Sequence, residues 1–130
     1  MDGFTPVETN GLHWLSEISP VVAMYGGFSA IARDRVLGMG GLVPIHADRL
    51  VAWAALSQCN SRREVLRLTR FVQAYLDAQT AARLEMTVRF DDLRSHQWAR
   101  ILGFHPEGPE MPFFNRDGSS AQMYVRFRDG

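Results

Sequence analysis

Residues 91–104, Asp91-Asp92-Leu93-Arg94-Ser95-His96-Gln97-Trp98-Ala99-Arg100-Ile101-Leu102-Gly103-Phe104, constrain the fold more than any other stretch. They read as a short helix that ends at a glycine with an aromatic behind it. A carboxylate or serine at the start can accept from the orphan N–H groups of the first turn. Gly103 suits the left-handed position that closes many helices, and Phe104 can fold back on the last turn. Directly before it, Leu84-Glu85-Met86-Thr87-Val88-Arg89-Phe90 alternates apolar and polar residues, the period of a strand. A strand feeding a capped short helix implies a sheet with helices packed on it.

The rest of the chain extends that pattern. A short strand is expected at residues 4–8, and a short helix is expected at residues 11–19 with Leu12, Leu15 and Ile18 on one face, stopped by Pro20. Residues 28–32 and 36–45 read as strands around a turn at Arg33-Asp34-Arg35. Gly38, Gly40 and Gly41 in the second strand point to a bulge or a close backbone approach. After a turn at His46-Ala47-Asp48, residues 50–56 are apolar on both faces, as in a central strand covered on two sides.

Ser61-Arg62-Arg63-Glu64 is a capping box, and Val65, Leu68, Val72, Tyr75 and Leu76 then recur at helical spacing. Finally, residues 111–115 and 121–127 flank Arg116-Asp117-Gly118-Ser119-Ser120, which predicts a β-hairpin. The order is helix, three strands, helix, strand, helix, two strands. This is a mixed α/β fold around one twisted sheet, as a single domain over residues 1–130.

Bulk properties narrow the function classes. The 14 basic and 14 acidic residues cancel, so net charge does not draw the chain to nucleic acid or an anionic membrane. No apolar run reaches the roughly 20 residues of a membrane span, and no secretory leader pattern is present, so a cytoplasmic setting is expected. Cys59 is the sole cysteine, which excludes an internal disulfide. His13, His46, His96 and His105 lack metal-ligand spacing, so no metal site is expected.

Strand, short helix, Leu102-Gly103-Phe104 and a final hairpin together resemble the C-terminal half of the GNAT superfamily of N-acetyltransferases. The resemblance covers about residues 28–127, with room for one N-terminal helix rather than two. Gly40-Gly41-Leu42-Val43-Pro44, Val51-Ala52-Trp53-Ala54-Ala55-Leu56-Ser57 and Trp98-Ala99-Arg100-Ile101-Leu102-Gly103-Phe104 are most similar to small phage-encoded members, some of them internal virion proteins. An active member needs a glycine-rich turn whose N–H groups cradle the pyrophosphate of acetyl-CoA. The matching segment here, Gln58-Cys59-Asn60-Ser61-Arg62-Arg63-Glu64-Val65-Leu66, has no glycine.

An active member also needs a strand end to pair with pantetheine, which Leu56, Ser57 and Gln58 can still offer through backbone groups. A general base near the central strand is required, and only Asp48, before it, and Glu85, on its neighbour, carry carboxylates. The tyrosine that many members use as general acid is replaced by Trp98 or a residue close to it. The resemblance therefore implies a pseudoenzyme with a structural or binding role in a phage or prophage, in the cytoplasm or within a phage particle. The alternative is an active acyl-CoA-dependent N-acetyltransferase with an atypical phosphate site at Ser61, Arg62 and Arg63. A third reading is a regulatory domain that binds acyl-CoA without turnover.

Individual residues keep two readings each. Arg62 and Arg63 sit where the helix dipole disfavours cations by about 0.3–1 kcal/mol each, so they either bind an anion, or pair with Glu64 or a neighbouring subunit, or point to water. Cys59 is either a nucleophile near a thioester or an incidental cysteine. His96 is either an acid or base in the cleft or a surface or capping residue. Arg63, Arg67 and Arg70 form a basic stripe. Beside the rigid Pro106, Pro109 and Pro112 segment it suits a protein partner or self-association rather than nucleic acid.

Overall fold

The computed structural model describes residues 4–6, 27–32, 35–56 and 61–128. The helix expected at 11–19, the turn residues Arg33 and Asp34, and Ser57, Gln58, Cys59 and Asn60 lie outside the described residues. The chain divides into two compact units, residues 1–43 with 52–71 and residues 44–51 with 72–130.

In the first unit, β1 (Phe4–Pro6) pairs antiparallel with β2 (Phe28–Ala32), which pairs antiparallel with β3 (Arg35–His46). The β2–β3 register passes from Ala30↔Gly38 to Ile31↔Val36, leaving Leu37 as the extra residue of a bulge. Leu37 is fully buried there, with Ala30 and Met39. Gly40 lies opposite Phe28, and a Cβ added to it would come 2.9 Å from Phe28 Cζ and 3.1 Å from the Trp53 carbonyl oxygen. The glycine-rich strand thus carries both a bulge and a close approach. Phe28 also meets Phe71 edge to face, ring centres 5.0 Å apart.

Strand β4 (Arg49–Leu56) and helix α1 (Arg62–Asp77) pass through both units. The capping box forms as expected: Ser61 N donates to Glu64 Oε1 at 2.8 Å and Glu64 N donates to Ser61 Oγ at 3.2 Å. Leu68, Val72 and Leu76 are buried on one face of α1, and Thr69 is accommodated beside them by donating to the Val65 carbonyl at 2.7 Å.

The second unit centres on β5 (Arg83–Arg89). It pairs parallel with β4 over Arg49↔Arg83, Leu50↔Leu84 and Val51↔Glu85, and antiparallel with all seven residues of β7 (Ala121–Phe127). A two-residue strand, β6 (His105–Pro106), lies on the other side of β7. The sheet order is β1-β2-β3-β4-β5-β7-β6, a mixed sheet accompanied by helices, with β4 in the middle position.

Helix α2 (Leu93–Ile101) ends as its sequence predicts. Asp92 caps it, accepting from Ser95 N and Ser95 Oγ, and the serine bonds hold that carboxyl below its usual range. At the other end Gly103 adopts φ 92°, Gly103 N donates to Arg100 O and Phe104 N donates to Ala99 O, both at 3.0 Å. Those two bonds are the Schellman pattern, and Phe104 is buried behind it.

Two expectations are corrected. Residues 111–115 are not a strand, and β7 pairs instead with β5 and β6. Only Met111 bridges to Ala121, because Pro112 has no N–H to give a ladder and Phe113 turns to φ 56°. A bulky residue in that conformation costs about 1–2 kcal/mol. Asp117-Gly118 does turn, with Gly118 at φ 85°, but it closes a loop in which Asn115 N donates to Ser119 O. The second correction concerns β4. Its described side chains are half-buried and Ala54 is exposed, so an apolar sequence here does not mean cover on both faces.

Candidate functional site

The start of α1 brings Ser61, Arg62 and Arg63 together. Strand β4 ends at Leu56, and Ser57, Gln58 and Cys59, between it and the helix, lie outside the described residues. The helix entrance is occupied by its own side chains. Ser61 Oγ takes the Glu64 N–H, and the Glu64 carboxylate sits on Ser61 N. A diphosphate laid on the Ser61 and Glu64 N–H groups would have to displace the Glu64 carboxylate and the Ser61 hydroxyl. Arg62 and Arg63 are exposed, and neither pairs with Glu64 or another group among the described residues.

In the second unit the only carboxylate of β4 and β5 is Glu85, with a side chain 4% exposed. Residues 83 and 85 share a face of β5 because strand side chains alternate. Arg49 Nε and Nη2 donate to Glu85 Oε2 and Oε1 at 2.7 and 3.0 Å, and Arg83 Nε donates to Oε2 at 2.5 Å. Arg83 continues to Glu107 through both terminal nitrogens, at 3.0 and 2.5 Å. The bond from Arg49 chiefly holds the Glu85 carboxyl below its ordinary value, with Arg83 adding to the effect. The arrangement stabilises an anion. A general base for amine chemistry needs the opposite, a carboxylate whose proton affinity is raised toward neutral pH. Asp48 sits in an exposed turn, where its carbonyl accepts the Arg83 N–H at 3.0 Å.

His96 on α2 has both ring nitrogens engaged. The Phe90 carbonyl can only accept, so Nε2 donates to it at 2.8 Å, and Nδ1 accepts from the Tyr124 hydroxyl at 2.8 Å. Tyr124 is fully buried in β7. The link ties helix to sheet. Tyr124→Phe leaves Nδ1 without its donor and is expected to cost about 1 kcal/mol in urea unfolding, with the fold retained. Trp98 is half-buried. The Trp53 indole N–H is buried without a partner, which nothing in the structure explains.

A cleft of about 280 Å³ opens near Asp77, Arg126 and Arg128. Its cations are committed: Arg126 donates to Asp77 and to Leu102 O, and Arg128 to Thr80 O. Asp77, at the end of α1 that disfavours an anion, is thereby compensated. Among the described residues no three His, Cys, Asp or Glu side chains gather to hold a metal ion, and no helix is long and apolar enough to cross a membrane.

Sequence reasoning missed the Glu85 clamp and the His96–Tyr124 link. The first had a partial signal, Arg83 and Glu85 two apart on one strand; the second had none, since its partners are 28 residues apart.

The sequence matches no protein-family model and no curated protein. Solved structures do match. A Bacillus subtilis acetyltransferase in complex with CoA superposes with a TM-score of 0.73 at 12% identity, covering 96% of this chain and 99% of that one. The ribosomal-protein-S18-alanine N-acetyltransferase of Escherichia coli gives 0.72 at 17% identity, covering 98% and 94%. A variant spermidine N-acetyltransferase from Vibrio cholerae gives 0.71 at 10% identity, covering 98% and 96%. A Bacillus anthracis acetyltransferase of the GNAT family is similar as well, at 0.64. The chain has the fold of the GNAT acetyltransferases.

Proposed function

We propose that this chain is a GNAT-fold protein that no longer transfers acyl groups. It acts by contact, as one domain over residues 1–130, in a structural or binding role. The observation that carries this reading is the capped start of α1, where Ser61 and Glu64 take up each other's donors, so that a diphosphate binding there would have to displace the Glu64 carboxylate. Glu85, clamped by two arginines, and the committed ring of His96 add support. A phage or prophage setting, in the cytoplasm or within a particle, rests on the likeness of residues 40–44, 51–57 and 98–104 to small phage-encoded members.

Calorimetric titration tests the reading. Acetyl-CoA is expected to bind more weakly than about 100 μM, equivalent to roughly −5.5 kcal/mol. Low-micromolar binding that Arg62→Ala or Arg63→Ala abolishes would overturn it. The second reading, an active acyl-CoA-dependent N-acetyltransferase, would then stand. It is favoured by the two exposed arginines at the start of α1 and by the fold's likeness to an acetyltransferase solved with CoA. In that case Leu56, Ser57 and Gln58 would offer backbone groups to the cofactor and Ser61, Arg62 and Arg63 its phosphate site.

A further inference from the structure

Two surface features stand outside this account. The first is the outer face of α1, where Arg63, Leu66, Arg67 and Arg70 recur at helical spacing and all are exposed. Arg49, Arg83, Arg89 and Arg126, by contrast, each meet a carboxylate. Among the described residues the three arginines of the stripe meet none. Cations gathered around an exposed leucine, with the one carboxylate at their helical spacing, Asp77, already held by Arg126, form a surface without its complement.

The second feature is the loop that leaves the Met111↔Ala121 bridge. Phe113 is 85% exposed in a left-handed conformation, and Phe114 beside it is exposed as well. Strain on a residue that buries nothing gains the folded chain nothing. The loop is nevertheless firmly held. Asn115 donates through its side chain to Ser119 Oγ and Ser120 O, and Asp117 accepts from Arg89 at 2.7 Å. Glu110, exposed at the loop's entry, has no partner among the described residues. The loop's own cation, Arg116, already has a partner within the chain.

We propose that these two surfaces dock onto each other between copies of the chain, the Phe113 and Phe114 rings of one lying on the arginine stripe of the next. The reading of the protein as one that works by contact underlies this inference. Complementarity selects the partner. Aromatic faces attract guanidinium groups, Leu66 offers the apolar floor that phenylalanine rings need, and Glu110 supplies an anion for arginines that meet none. What the loop lacks the helix has, and the reverse. Such an interface joins unlike patches, so it closes as a reciprocal pair or continues into rings or filaments.

Sedimentation velocity over a concentration series tests this. Wild type is expected to self-associate near about 100 μM, where weak contacts populate. The variant Phe113→Gly with Phe114→Ser should be monomeric with no loss of thermal midpoint, because glycine suits the positive φ. Arg67→Glu with Arg70→Glu should be monomeric too. Each variant keeps one half of the interface, so an equimolar mixture of the two should give a discrete 1:1 dimer. Three results overturn the proposal: wild type monomeric throughout, association that survives both variants, or a mixture that stays monomeric while either variant binds an acidic peptide or an oligonucleotide. A monomer that also fails to bind acetyl-CoA overturns the docking alone. Tight acetyl-CoA binding overturns the reading beneath it.

Discussion

Glu85→Ala is expected to lower the unfolding free energy by about 3 kcal/mol, measured by urea denaturation near pH 7, the low end of what breaking a buried ion pair costs. The low end applies because Arg49 and Arg83 are 40% and 28% exposed and can regain water once the carboxylate is gone. Glu85→Gln keeps the shape and some hydrogen bonds, so it should cost about half as much. The two variants also predict a pH signature. The carboxyl is depressed in the folded state, so its contribution is complete above its ordinary value of 4.5 and is lost as pH falls through the lower folded value. The stability gap between wild type and Glu85→Gln should therefore be constant from about pH 7 to 5 and narrow below about pH 4. A gap that widened in acid would mean the clamp does not hold the anion.

Gly40→Ala should cost about 2 kcal/mol although it adds one methyl group to a strand, where alanine is ordinarily the better residue. The methyl would press on the Phe28 ring and the Trp53 carbonyl, and the backbone oxygen cannot step aside as a side chain can. Phe28 lies across the strand pair from Gly40, so its ring covers the gap that the glycine leaves. In a Phe28→Ala background the Gly40→Ala penalty should shrink by more than half, and that coupling, read from a double-mutant cycle, separates crowding from a general loss of strand stability.

What could be read in the sequence followed from local physics. Strand β2 lies at residues 28–32 as expected, the Ser61 and Glu64 box forms, and Gly103 closes α2, because each signal sits within a few residues of what it controls. The partners of β7 were not legible. A two-residue strand such as His105–Pro106 has no period, and Met111 to Asn115 only looked like a strand until Pro112 broke it. Apolar composition overstated the cover on β4, since alternation shows which side chains can be buried but not whether anything lies over them. The site divided in the same way. The missing glycines were plain in the segment 58–66, whereas the clamp on Glu85 needed Arg49 to return from 36 residues away.

Strand β7 has a consequence for how the chain reaches this state. It fills the place between β5 and β6, and its register sets Phe127 against Arg83 and Ala121 against Arg89. Helix α2 and its glycine stop can form early from neighbours in sequence, but β5 gains its antiparallel partner only when residues 121–127 arrive. Until then, Leu84, Met86 and Val88 present an apolar strand with an open edge, the form most prone to pair with another chain. Refolding yield should therefore fall steeply as protein concentration rises, and the slow step should be closure of this edge rather than formation of either helix.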